Sequence, residues 1–192
     1  YYLKVKDLNM VILTHSGEEK AVESEEDQKL GNPLLLRFPL SLGVKIIVAH
    51  CASLGTNIDF EDKEKKEMSN FKLFMRLMKD PAYKTNLYGD ISAITLFTRI
   101  PEPILTLLEN PSLHKRLVNG SDYPIPAINA LVHTKDFVKL GMITKKEQES
   151  INEIYNFNPI LFDFVLKRII KHPKTGQKFS NAIFTRDIFK TP

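Results

Sequence analysis

Three residues of this sequence could together hold a metal ion and activate water. His15 closes the apolar run Met10–Thr14 (MVILT), His50 closes Val44–Ala49 (VKIIVA), and Asp122 follows the short run Arg116–Asn119 (RLVN) within the segment NGSDYP. Two imidazoles and a carboxylate are a natural donor set for zinc or a similar divalent ion. Each residue also has an ordinary reading. His15 could be a turn histidine bonded to nearby backbone, His50 a satisfied core histidine, and Asp122 a cap for the helix that follows. What favours a site is that all three occupy one topological position, just past an apolar stretch that reads as a buried strand.

The elements that must position them follow from the same pattern. VKIIVA is the clearest buried strand, MVILT another, and Asn86–Ser92 (NLYGDIS) and Arg116–Asn119 a third and fourth. Between them the spacing predicts helices. One runs over Leu34–Leu42, announced by Asn32-Pro33 and stopped by Gly43; Pro39 interrupts its regularity. A long amphipathic helix is expected over Phe60–Asp80, with Phe71, Phe74, Leu77 and Met78 on its core face. Others are expected over Pro101–Leu108 and Ala127–Leu140. A last helix starts at Thr144, whose capping box is completed by Glu147, and continues through Asn158-Pro159 into Ile160–Ile170. Strand and helix thus alternate four times. Such alternation calls for an α/β fold with a parallel sheet, and parallel strands are buried on both faces. In a β/α barrel the C-terminal ends of the strands share one mouth, where His15, His50 and Asp122 would meet.

Composition sets the bounds. The chain has 192 residues, 43% of them hydrophobic and 26% charged, which suits one globular domain. It has no apolar run long enough to span a membrane and no signal peptide at its start, and the single cysteine, Cys51, fits a reducing, cytoplasmic setting. The net charge of +4 gathers partly near the end, at Lys167, Arg168, Lys171, Lys174, Lys178, Arg186 and Lys190. With no aromatic interleaving, these read as a solvated helix end and a basic extension over 171–192, not as a nucleic-acid surface. Lesser candidates are Glu18 and Glu19, which could reach the site or be solvated, and Arg99, which could hold an anionic substrate or lie on the surface. Cys51 beside His50 suggests a nucleophile, but a cysteine at the end of a buried strand is more often inert.

The segments THSGEE (14–19), GVKIIVAHCAS (43–53), NLYGDIS (86–92), NGSDYP (119–124) and YNFNPILF (155–162) resemble successive blocks of the amidohydrolase superfamily, nearest to its branch of TIM-barrel metal-dependent hydrolases. The resemblance covers roughly residues 10–165. It implies a partial TIM (β/α)8 barrel over residues 1–170, formed by parallel strands five to eight with their helices. It also implies roles. His15 would be the metal-ligating histidine of the fifth strand. His50 would ligate a second metal or orient substrate at the sixth. Asp122, at the eighth, would bind metal and take a proton from the attacking water. The cofactor implied is a divalent metal, zinc or else manganese. The reaction is hydrolysis of an ester, lactone, amide or phosphoester, with decarboxylation as a related reaction on the same scaffold. A non-catalytic binding or structural protein keeping the barrel is the alternative. The family's first strand supplies a His-x-His pair that this sequence does not contain. Its other histidines, His114, His133 and His172, fall in helical or tail contexts and read as surface residues. The first four strands are therefore expected before Tyr1, and the chain is expected to pair with that missing half or to self-associate, because an open sheet edge exposes apolar surface.

Overall fold

Ile46, Ile47 and Val48 are all buried, because the strand that carries them has a neighbour on either side. The computed structural model describes residues 1–19 and 27–185, which form two compact units. The first unit comprises residues 1–90 and 116–118 of these. It opens with a short helix α1 (Tyr2–Asp7) and strand β1 (Val11–His15). Helix α2 (Arg37–Ser41) follows a 3-10 turn at Pro33–Leu36. Asn32 starts that turn as expected, its Oδ1 accepting from the Leu34 N–H at 3.0 Å. Pro39 falls in the first turn of α2, where its missing N–H breaks no helical bond. Strand β2 (Lys45–Ala49), a hairpin of β3 (Thr56–Ile58) and β4 (Glu67–Ser69), helix α3 (Asn70–Lys79), and strands β5 (Leu87–Asp90) and β6 (Leu117–Val118) complete the unit.

The main sheet has four strands in the order β1-β2-β5-β6, every neighbouring pair parallel. The α/β class and the parallel sheet expected from the alternation are what the structure shows. Asn86 locks the entry to the sheet, its side-chain amide donating to the Leu40 and Val44 carbonyls. The core face of α3 buries Phe71, Phe74, Leu77 and Met78, as its spacing requires. The helix is shorter than expected, however, because residues 60–66 turn instead of coiling and 67–69 form β4. Asp59 and Asp62 accept backbone N–H groups two residues on, from Glu61 and Glu64, and Lys65 takes a left-handed φ of 51°. Such local side-chain bonds compete with a helix. Ser69 then caps α3 through the Lys72 N–H at 3.2 Å.

A buried ion pair ties the hairpin to α3. Arg76 donates to both carboxylate oxygens of Asp59, at 2.7 and 2.6 Å, and to Glu61 at 2.6 Å, and Arg37 also bonds Glu61. The guanidinium's bonds outweigh the cost of burial and hold the Asp59 carboxyl down at about 2. On acidification the unfolded chain takes up this proton first, near pH 4. The stabilisation is therefore complete above about pH 4 and is lost as pH falls toward 2, an effect of about 2 kcal/mol. Urea midpoints measured across that range should fall in step. A flat midpoint between pH 4 and 2 would contradict the assignment.

The second unit, residues 91–115 and 119–185, is helical. It contains α4 (Glu102–Glu109), α5 (Thr134–Lys139), α6 (Lys145–Phe157), α7 (Pro159–Ile169) and α8 (Asn181–Thr185). The Thr144–Glu147 capping box is present in both directions. Two expectations are corrected here and a third in part. The helix expected over Ala127–Leu140 is reduced to α5, because the preceding backbone is held elsewhere: the Phe97 N–H donates to the Leu131 carbonyl, and the His133 ring stacks on Phe97 at 4.9 Å. The last long helix is two helices, broken at Asn158, whose side chain caps α7 by accepting from the Leu161 N–H. The basic extension is anchored at a few apolar positions, while Lys174 and Lys178 are exposed as expected. Phe179 and Ile183 are buried, and Arg168 lies over the Phe164 and Phe184 rings. Arg186 and Lys190 lie outside the described residues.

Two histidines read as surface residues are interior ones. His114 is buried; its Nε2 bonds the Leu107 carbonyl and its Nδ1 accepts from the Ser180 N–H. Burial pushes its pKa below the ordinary histidine value. His172 is also buried, with Nε2 against Glu109 and Nδ1 accepting from the Lys174 and Thr175 N–H groups. Both rings close loops in the helical unit. Among the described residues no helix is long and apolar enough to cross a membrane.

Candidate functional site

The register of the sheet builds the site. His15 is the last residue of β1 and pairs with Ala49, the last of β2. Val48 pairs with Gly89, so the next residue of β5, Asp90, comes level with Ala49, and Asp90 pairs with Val118 of β6. One row, His15–Ala49–Asp90–Val118, therefore marks the C-terminal ends of four parallel strands. In parallel α/β sheets, ligands gather beyond this end.

His50 follows Ala49 directly, and its backbone is unusual. His50, Cys51 and Ala52 have φ values of 54°, 51° and 51°, three consecutive non-glycine residues in the left-handed region. Each such residue costs on the order of 1–2 kcal/mol, and strain of this kind persists where the surroundings over-determine it. Several contacts do so. Cys51 is fully buried and its Sγ donates to the Asp90 carbonyl at 3.3 Å. Gly89 leaves room for that sulfur. The Ser53 N–H closes the turn on the His50 carbonyl at 3.1 Å. The loop after β1 is pinned to the same turn: Gly17, at φ 99°, passes so near that a Cβ there would lie 2.8 Å from the Leu54 carbonyl oxygen, and the Glu18 N–H donates to that oxygen at 3.0 Å. Asn70, at the start of α3, donates to it as well.

The consequence is that His15 and His50, 35 residues apart in the chain, meet. Their rings lie edge to face with centroids 5.3 Å apart. His50 is buried, and His15 is a quarter exposed and paired through Nε2 with Glu19 Oε2 at 3.1 Å. Glu19 thus reaches the first imidazole, one of the two readings open for it. Glu18 lies beside it in the loop, and residues 20–26 of the expected loop lie outside the described residues. Cys51 holds the turn by its thiol and packs inside, the ordinary reading for it.

Asp90 is the residue that sequence reasoning missed. It is buried and ends its strand as His15 does. The sequence reading ran this strand on to Ser92, which placed Asp90 inside it; the strand ends at Asp90. Asp122 belongs to the second unit, four residues past the end of β6, with a left-handed φ of 59°. Near it the Asn119 Oδ1 is buried without a hydrogen-bond partner. Arg99 is half-buried in the second unit, between Ala93 and α4.

Imidazole nitrogens and carboxylate oxygens fit zinc in kind. They fall short in number: among the described residues no group of three or more His, Cys, Asp or Glu is gathered closely enough to hold a metal ion. In the first unit a cleft of about 670 Å³ lies at the other end of the strands, beside Lys45 and Asn86. In the second, one of about 390 Å³ is lined by residues of 128–162, among them His133, Gln148 and Asn152. Comparison of the chain with protein-family models, with curated proteins and with solved structures returned no match.

Proposed function

We propose that this chain forms part of a metal-dependent hydrolase of the amidohydrolase type, as strands five to eight of a (β/α)8 barrel. The observation that carries the reading is the pairing of His15 with His50 at the ends of adjacent parallel strands, one of them on a strained left-handed turn. The strand order adds support. The four parallel strands follow one another across the sheet in chain order, as in an arc of a barrel.

His15 and His50 would hold the ion through imidazole nitrogens, and Glu19 would fix the orientation of the His15 ring, as carboxylates do for metal-bound histidines. When bound, a divalent metal lowers the pKa of water to about 7 and polarises a carbonyl or phosphoryl oxygen. By resemblance, Asp122 would take the proton of the attacking water on its carboxylate. Asp90, at the same strand ends, joins this list as a carboxylate to test. The substrate class is an ester, lactone, amide or phosphoester, and decarboxylation is the related alternative.

Elemental analysis of the protein as its cell makes it should find about one or two equivalents of divalent metal per chain, zinc or manganese. His15→Ala/His50→Ala should lose it, Asp122→Asn should hold less, and Glu19→Gln should weaken metal affinity by about tenfold. A metal-free protein, even after growth with added zinc and manganese, would sink the hydrolase reading. It would favour the second reading, a non-catalytic binding or structural protein on the same scaffold.

The reading also requires a partner. The outer edge of β1 pairs with no other strand among the described residues, and Leu13 on it is 65% exposed, with Met10, Phe38 and Leu3 exposed beside it in sequence or on the same unit. Parallel strands are otherwise covered on both faces, and bare edges invite pairing. The other half of the barrel, or a second copy of the chain, would cover this edge. Sedimentation should therefore show this chain associated, and Leu13→Glu should dissociate it. A monodisperse monomer of the unaltered chain would contradict the proposal.

A further inference from the structure

Lys167 lies in the last turn of α7, where the sequence suggests a solvated helix end, yet its side chain is wholly buried. Its ammonium donates to Asp163 Oδ2 at 2.6 Å, one turn earlier on the same helix, and to the Gly120 carbonyl at 2.8 Å. Burying an ammonium and a carboxylate carries a large desolvation cost, and apolar residues of similar volume fill such a place equally well. The neighbours Phe162, Leu166 and Ile170 are buried apolar residues of that kind. What the ammonium supplies and a hydrocarbon does not is a directed, charge-assisted bond to the 119–124 loop.

That loop needs holding. Asp122 sits at φ 59°, a conformation aspartate tolerates better than most residues but one its surroundings must still select. The Asn119 N–H donates to the Ile183 carbonyl at 3.2 Å on one side, and the Ile125 N–H closes on the Asp122 carbonyl at 2.9 Å on the other. Gly120, gripped by Lys167, lies between them. We propose that Lys167 is a positioning residue: its buried ammonium, balanced by Asp163, latches the 119–124 loop and sets the backbone from which the Asp122 carboxylate is presented. The functional weight of this latch rests on the reading of Asp122 given above; the latch itself does not.

The test compares backbone amide exchange in Lys167→Met/Asp163→Leu and in Asp163→Asn with the unaltered protein, alongside urea melting. The double variant removes both charges together and should keep its fold. Exchange at the Asn119 and Ile125 amides should then accelerate by about tenfold or more, while α6 amides are unchanged. Asp163→Asn keeps the bond from Lys167 to Gly120 and should leave those two amides near their original rates even if the melt shifts. Unchanged protection of Asn119 and Ile125 in the double variant would overturn the proposal, as would equal loosening in both variants in proportion to stability. Bound metal does not enter this readout, so a metal-free natural protein would remove the hydrolase reading without touching the latch.

Discussion

Replacing Gly89 by valine should lower the stability of the chain by about 3 kcal/mol, the upper end of what overpacking a core strand costs. A Cβ at this position would stand 2.8 Å from Cys51 Sγ, 2.9 Å from Phe74 Cζ and 3.1 Å from Leu117 Cδ2. Those atoms belong to a strained turn, a core helix and a neighbouring strand, and none can retreat without disturbing the others. The effect should reach the site as well. Cys51 holds the left-handed turn by its bond to the Asp90 carbonyl, and His50 rides on that turn. A urea midpoint measures the first consequence, and the spacing of the His15 and His50 rings, followed by nuclear Overhauser contacts, measures the second. Gly176→Ala is the control: nothing lies within 4 Å of its Cβ position, so only its φ of 71° opposes the change, at about 1 kcal/mol. Equal costs at the two positions would refute the steric account.

Arg76→Met should cost about 3 kcal/mol or more, because it strands Asp59 as a buried charge without its partner. Asp59 is 4% exposed, and both its oxygens are bonded to Arg76. The loss should also remove the acid sensitivity between pH 4 and 2, since the guanidinium is the leading cause of the low Asp59 pKa. Asp59→Asn combined with Arg76→Met should recover part of the stability by removing the stranded charge. A single variant within about 0.5 kcal/mol of the unaltered protein, the range usual for surface changes, would show that the hairpin and α3 hold together without the pair.

Several sites of correction share a cause. Lys167, His114 and His172 look like surface residues from their types and neighbours. Each is buried with a specific partner in the same unit, Asp163, Leu107 or Glu109 respectively. Only for Lys167 is that partner at helical spacing in the sequence, and i, i+4 carboxylate–lysine pairs are commonplace on exposed helices, so its spacing gave no sign of burial. The residues 60–66 failed as a helix for a local reason that the sequence does carry, two aspartates each placed to accept an N–H two residues on. The breadth of the apolar face beyond residue 70 overshadowed it.

The sequence by itself determined the parallel strands and the alternating helices, because runs such as VKIIVA and the Thr144–Glu147 capping box are decided by neighbours within a few residues. It also determined that His15 and His50 close their strands, whereas Asp90 fell inside the expected strand over 86–92 and ends it only in the structure. Only the tertiary structure decided that two imidazoles 35 residues apart touch, since that depends on the register of β1 against β2. It alone decided the left-handed run at His50–Ala52, since three non-glycine residues take that conformation only when a thiol bond, a glycine's missing side chain and a neighbouring loop together outweigh the strain. Local propensity is additive along the chain, whereas these features exist only where separate elements press on the same few atoms.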